Sequence, residues 1–168
     1  MNTFLALFLI VVAIAAFMGF IASRPRGRQL TPLSNDVAAG IHEGDLQVTL
    51  EAAVATRHLL LRKGAAARSA LIGTVADRPL GFAEDEGAIG DMISFYPLGS
   101  GRRTVLGISS AAIVSGVQVT SAAAGKVVTL PVAAGTYWVV GEAWGAAAGA
   151  DEEIEIIPCT PYQVTVAA

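Results

Sequence analysis

Residues 80–97 begin with Leu80-Gly81-Phe82-Ala83 and end with Ser94-Phe95-Tyr96-Pro97, and both parts of this pattern return later in the chain. The second copy begins with Val140-Gly141-Glu142-Ala143 and ends with Glu155-Ile156-Ile157-Pro158. In each copy a Gly-x-Ala strand is followed by a loop of small and acidic residues, and then by an alternating strand that stops at proline. Because alternation of apolar and polar residues is typical of a half-buried strand, the repeat predicts a small β-module that is used twice.

Short β patterns also occur along the rest of residues 37–168. Their spacing of roughly 8 to 12 residues, with glycine-containing turns between them, is typical of sandwiches and barrels. The predicted fold is therefore mainly β, a small β-barrel or β-sandwich with an internal repeat. The patterns lie at residues 46–50, 59–64, 70–75, 89–96, 103–108, 117–120, 126–130, 136–141, 153–157 and 163–166.

The composition excludes several classes of function. Charged residues make up 15% of the 168 residues, against about 25% in an average soluble domain. The net charge of −3 and the scattered arginines provide no basic face for nucleic acid. Cys159 is the single cysteine, so an internal disulfide is impossible and a four-ligand zinc site is not expected. We therefore expect no nucleic-acid partner, no metal and no cofactor.

The first 22 residues form a separate apolar segment. No charged residue occurs from Thr3 to Ala22, and a helix of about 20 residues is long enough to span the hydrocarbon core of a bilayer. Arg24, Arg26 and Arg28 follow this segment, which would place the β domain on the cytoplasmic side of a membrane.

Three fates of this apolar helix remain open on sequence grounds. It can span a membrane, it can be buried in protein among identical copies, or it can be a cleaved signal, although Phe20 lies where a cleavage site prefers a small residue. Residues 23–36 contain Pro25 and Pro32 with little periodicity and predict an extended linker. The β domain then occupies residues 37–168.

The acidic loops and the histidines are the candidates for catalytic groups. Residues 84–86 and 151–153 are all acidic, and Asp91 lies near the first of these runs. Paired acid–base carboxylates must face each other across a substrate, and nothing in these loops fixes that geometry, so solvated turns are the favoured interpretation. His42 and His58 are not accompanied by a nucleophile motif. We therefore predict that the protein is not an enzyme; a hydrolase that uses the acidic loops is the alternative.

Aromatic and arginine side chains are the best candidates for an interaction surface. Exposed Trp, Tyr and Arg are enriched at the centres of protein interfaces. Core packing is the alternative interpretation for whichever of the adjacent residues Tyr137 and Trp138 faces inward, because neighbouring strand residues point to opposite sides. Trp144 lies among Gly145 and alanines and is the better surface candidate. The candidate interface residues are Tyr137, Trp138, Trp144, Arg57, Arg102 and Arg103.

Several stretches of the domain together resemble a known family. They are residues 56–64, residues 79–83 followed by Gly90-Asp91, residues 124–127, and residues 134–143 followed by 154–158. With these patterns, most of residues 37–166 resembles the phage head decoration proteins, which are also described as capsid cement proteins. The resemblance does not include the N-terminal apolar segment, which is foreign to that family. A further departure is Gly116-Val117, where the pattern leads us to expect Gly-Asp and where an altered turn is therefore predicted.

The resemblance implies a structural protein on the surface of a bacteriophage capsid. Proteins of this family are β-rich, commonly form trimers, and bridge neighbouring shell subunits without catalysis. The expected partners are therefore the major capsid protein and two further copies of this chain, with a possible membrane contact through residues 3–22. The alternative is a membrane-anchored β-rich module that binds a protein partner through the aromatic loop around Trp144.

Overall fold

The computed structural model describes residues 46–100 and 103–167, which belong to one compact unit, Ile41–Ala168. This part of the chain is mainly β, as the strand patterns predicted, with one short 3-10 helix at Ala123–Gly125. The strands are β1 (Leu46–Leu50), β2 (Leu60–Lys63), β3 (Ser69–Ile72), β4 (Pro79–Ala83), β5 (Met92–Pro97), β6 (Val105–Ile108), β7 (Gln118–Ser121), β8 (Val127–Thr129), β9 (Gly135–Ala143) and β10 (Glu153–Val166).

The first five strands close into a barrel in the order β1-β3-β2-β4-β5. Strand β1 closes it by pairing in parallel with β3 and antiparallel with β5. Alternate side chains point inwards, among them Leu50, Leu61 and Phe95, and they are almost fully buried. Burial of each large apolar side chain contributes about 1.5–3 kcal/mol, so this interior holds the barrel together.

The last five strands form a sheet in the order β6-β10-β9-β7-β8. Its two end strands approach each other at a single parallel bridge between Ser109 and Val127. That bridge is equivalent to the parallel pairing of β1 with β3 in the first barrel. The other strand pairings of the second sheet also have equivalents in the first barrel, and we call the barrel and the sheet the two β units. The second unit is therefore a more open version of the first barrel, with an opening between β6 and β8.

The strand registers confirm the internal repeat. Gly81 lies opposite Pro97 in the first barrel, and Gly141 lies opposite Pro158 in the second sheet. At both glycines a Cβ atom would overlap the backbone carbonyl of the neighbouring strand, that of Tyr96 for Gly81 and that of Ile157 for Gly141. The glycines of the Gly-x-Ala pattern are therefore required for the close approach of two backbones.

The two units pack together through the outer face of the first barrel. Leu60, Phe82 and Tyr96 point away from its interior and join the core of the second sheet. The Phe82 ring reaches Gly107 on β6: a Cβ atom there would lie 3.0 Å from Phe82 Cε1 and 2.8 Å from Ile156 Cδ1. The aromatic ring thus lies beside the space that a side chain on residue 107 would otherwise occupy.

Strands β9 and β10 extend beyond the rest of the second sheet. Residues 135–139 of β9 pair with residues 162–166 of β10, after a register shift between Pro158 and Tyr162. We call this two-stranded extension the terminal ribbon. Among the described strands, β6 pairs with β10 only up to Ile156 and β7 pairs with β9 only from Val139 onwards.

The predictions for the N-terminal segment fall outside the described residues. This applies to the apolar helix at residues 1–22 and to the linker at residues 23–36. Within residues 46–100 and 103–167, no helix has the length and apolar character needed to cross a membrane.

Candidate interaction surfaces

The acidic residues of the repeated loops act as turn-forming groups. Asp91 Oδ2 accepts a 2.8 Å hydrogen bond from the Ala88 amide, and Glu152 Oε2 accepts a 2.7 Å hydrogen bond from the Ala148 amide. Asp85 Oδ2 accepts another, at 3.2 Å, from the Ser94 amide. These contacts agree with the interpretation of the acidic runs as turns. No group of three or more His, Cys, Asp or Glu side chains could hold a metal ion within the described residues.

His58 links the first barrel to the second sheet. Its Nδ1 lies 3.1 Å from Glu153 Oε1, and Arg57 Nε lies 3.9 Å from the same oxygen. The His58 ring is nearly buried, and its backbone has a left-handed φ of 67°. Through these contacts, His58 helps to pack the first barrel against the second sheet. Arg57, a candidate interface residue, is exposed beside this contact. His42 lies outside the described residues.

Glu51 fixes the loop between β2 and β3. Its carboxylate accepts hydrogen bonds from the Ala66 amide, the Ser69 hydroxyl and the Ala65 amide. These hydrogen bonds, together with the nearby Arg62 charge, lower the pKa of Glu51 to about 2. The carboxylate is therefore held in its charged form by a loop that contains three alanines. On the second sheet, burial raises the pKa of the Cys159 thiol.

Arg103 contacts the first barrel. Its guanidinium donates to Glu84 Oε1 at 3.1 Å and lies 4.7 Å from the centre of the Tyr96 ring. The Arg103 side chain is about half exposed, so part of it remains accessible to a partner. Arg102, the neighbouring candidate, lies outside the described residues.

Tyr137 and Trp138 lie on opposite sides of the terminal ribbon. Trp138 Nε1 donates a 3.3 Å hydrogen bond to the Ala76 carbonyl of the first barrel, which holds that side of the ribbon. The Tyr137 hydroxyl donates to the Ala133 carbonyl at 3.1 Å. Both residues are half-buried and neither belongs to a core cluster. The alternative of core packing therefore applies to neither residue, because the ribbon extends beyond the part of the sheet that encloses the core.

Trp144 is exposed, as the sequence predicted. The residue is 61% exposed, although its amide donates to the Glu155 carbonyl and its carbonyl accepts from Ser115 Oγ. Trp144 follows the end of β9, so about 20 Å of extended strand separates it from Trp138. The structure therefore does not bring the candidate aromatic residues together.

Sequence reasoning missed three apolar residues on the outer face of the second sheet. Leu106 lies opposite Glu155 on β10, and Ile157 lies opposite Glu142 on β9. Tyr162 Oη accepts a hydrogen bond from Gln118, which is itself paired with Glu142. We call Leu106, Trp144, Ile157 and Tyr162 the outer apolar face. The alternation along β10 contained the signal, because Glu155 and Ile157 occupy the positions opposite to the buried Ile154 and Ile156.

The corresponding face of the first barrel is already an interface. By the repeat, Tyr96 corresponds to Ile157 and Phe82 to Glu142, and both aromatic residues are buried against the second sheet. The outer apolar face is thus the second copy of a surface that the chain uses for packing. In the second copy this surface is exposed and carries two glutamates among its apolar residues.

Comparisons with known proteins agree with this architecture. No protein-family model matches the chain, and no curated protein matches it. Among solved structures, the chain is similar to the N base of the head fiber protein gp8.5 of bacteriophage phi29. The TM-score is 0.54 at 16% identity, and the match covers 74% of this chain and 98% of that chain. The similarity shows a shared fold.

Proposed function

We propose that this chain is a non-enzymatic structural protein of a phage head, which binds the outside of the capsid shell and reinforces it by bridging shell subunits. The single observation that carries the proposal is the fold shared with a phage head fiber base, since the match covers almost all of that chain. The resemblance of residues 37–166 to head decoration proteins supports the same role independently of the fold comparison.

The outer apolar face is the surface that we assign to the major capsid protein. It combines an exposed tryptophan, an exposed tyrosine and two aliphatic side chains with Glu142 and Glu155. Aromatic and apolar residues contribute most to binding when they are enclosed at the centre of an interface. A partner surface that brings apolar groups and one or two basic side chains would match this face.

Reinforcement of the shell then follows from linkage. A protein that binds the assembled shell and not the free subunits stabilises the assembly. The stabilising free energy increases with the ratio of the protein's free concentration to its dissociation constant. A copy that contacts two neighbouring subunits opposes their separation. No cofactor, metal or nucleic acid takes part in this mechanism, and self-association, with a homotrimer as the form implied by the resemblance, would multiply the contacts.

A second candidate function is a membrane-anchored binding module. It is favoured by one specific observation, the uncharged segment from Thr3 to Ala22 followed by Arg24, Arg26 and Arg28. In this case the same outer apolar face would bind a partner near a membrane surface.

Fractionation of producing cells separates the two functions. Assembled particles and membranes are isolated from the same lysate, and peptides of this chain are quantified against the major shell protein in each fraction. The head protein should be present in particles at a fixed ratio to the shell protein, including after a detergent wash. Recovery only in the membrane fraction would overturn the head role and support the anchored module.

A further inference from the structure

The terminal ribbon differs in chemistry from the rest of the domain surface. No charged residue occurs at residues 127–141 or 156–168, which include the whole ribbon and its approaches. Nevertheless Tyr162 is 43% exposed, and Val132, just before the ribbon, is 95% exposed. Soluble surfaces normally carry interspersed charges, whereas the centres of protein interfaces lack charge and are rich in tyrosine and tryptophan.

The two sides of the ribbon have different surroundings. Trp138 points towards the first barrel and is held by the Ala76 carbonyl. Tyr137 and Val164 are directly opposite each other and lie on the other side of the ribbon, because successive strand residues alternate. Tyr162 extends this side towards Gln118 of β7. One side is therefore fixed to the molecule, and the other presents tyrosine and valine outwards.

The edges of the ribbon have no partner strand within the described part of the chain. Residues 157–166 of β10 pair only with β9, and residues 135–138 of β9 pair only with β10. A two-stranded ribbon is only marginally stable by itself, and an open strand edge is a template for another strand. Pro158 and Pro161 lack amide hydrogens, so additional strand pairing is possible chiefly along Tyr162–Val166.

We propose that the terminal ribbon is the surface through which copies of this chain associate, and that its occupant is the terminal ribbon of a second copy. The uncharged composition favours this occupant, because two ribbons without charge meet without like-charge repulsion and offer nothing specific to a charged partner. Strand pairing of Tyr162–Val166 of one copy with residues 135–138 of the next, together with burial of Tyr137 and Val164, stabilises the contact, and such a head-to-tail arrangement can close into the trimer implied by the resemblance. The inference rests on the proposed function in one respect: it names the surface for the self-association that the proposed function includes.

The test is sedimentation velocity of the purified full-length chain in density-matched non-ionic detergent over a range of concentrations. The double variant Tyr137→Glu/Val164→Glu places two charges on the outward side of the ribbon and leaves the outer apolar face unchanged. Its control, Ile89→Glu/Val114→Glu, adds the same charge at exposed apolar residues elsewhere on the domain. We expect an oligomer for the wild type and the control, and at least tenfold weaker association for the ribbon variant. A monomeric wild type, or equal association of all three proteins, would overturn the proposal.

Hydrogen exchange on the wild type provides a measurement that is independent of how well a variant folds. The amides of Tyr162–Val166 should lose protection on dilution, while those of the buried strand β4 should not change. Protection at Tyr162–Val166 that is independent of concentration would contradict the proposal. A wild-type chain that binds particles but does not self-associate, or a ribbon variant that self-associates like the wild type, would overturn this inference alone, whereas absence from particles would overturn the proposed function alone.

Discussion

Replacement of Gly107 by alanine probes how the two β units are joined. The added methyl group would lie 3.0 Å from Phe82 Cε1 and 2.8 Å from Ile156 Cδ1. Overpacking of this kind in a core costs about 1–3 kcal/mol of unfolding free energy. Phe82 is fully buried, so Phe82→Ala removes a large side chain and should cost about 3–5 kcal/mol.

The double variant Phe82→Ala/Gly107→Ala tests whether the two residues pack against each other. If the Phe82 ring confines this site, its removal leaves space into which the new methyl group and the nearer Ile156 Cδ1 atom can move. Gly107→Ala should then cost less than about 1 kcal/mol in the Phe82→Ala background, which corresponds to a coupling of at least about 1 kcal/mol.

Urea unfolding of the full-length chain in non-ionic detergent measures this coupling. The fluorescence of Trp138 and Trp144 reports on the second sheet, and the four proteins of the cycle are compared under the same conditions. Gly149→Ala is the matched control, because the nearest atom to its Cβ position is Glu152 Oε1 at 3.8 Å. Costs of Gly107→Ala and Phe82→Ala that add within about 0.5 kcal/mol would refute the proposed packing.

Three further predictions concern single residues. Gly141→Ala should lower the urea midpoint clearly more than the Gly149→Ala control, because its methyl group would overlap the Ile157 carbonyl. Because the folded pKa of Glu51 is about 2 and its ordinary value is 4.5, its charged form stabilises the fold above about pH 4.5, and this contribution is lost as the pH falls towards 2. Unfolding of Glu51→Gln should therefore depend less on pH in that window, and an unchanged profile would contradict the assignment. His58→Ala should be less stable than His58→Gly by roughly 1 kcal/mol in the same urea assay. Both variants lose the contact with Glu153, but alanine retains the strain of a positive φ. Equal stability of the two variants would argue against that strain.

The internal repeat was the most predictable part of the fold. The Gly-x-Ala strands and the strands that end at Pro97 and Pro158 occupy equivalent registers in the two units. Alternation and proline are local signals, so they are visible in the sequence. The glycines also reveal the repeat, because Gly81 and Gly141 each lie against a neighbouring backbone.

The turn predicted to be altered at Gly116 has a different explanation. The amides of Gly116 and His58 donate to Ala143 and Ala83 at the same 2.7 Å distance, and both residues have left-handed backbones. Gly116 is therefore the counterpart of His58. The counterpart of Gly90 is Asp151, which also has a positive φ. The two repeats could not be aligned correctly here from residue types, because each pair of equivalent positions keeps the same backbone conformation with a different residue.

Packing between the two units could not be predicted from the sequence. The insertion of Phe82 beside Gly107 depends on how two distant strands meet, and no local pattern encodes it. The same is true of Trp138, whose indole binds the carbonyl of Ala76. The exposure of Trp144 was predictable, since it lies in a sequence of small residues that offers little to cover it.

The most direct test of the proposed head role is a reconstruction by electron cryomicroscopy of purified particles from the producing cells. We expect density outside the shell that fits the two β units of residues 46–167, with the outer apolar face against the major capsid protein at a junction between neighbouring subunits. Particles that lack such density while the chain is present in the same cells would contradict the proposed role in the phage head.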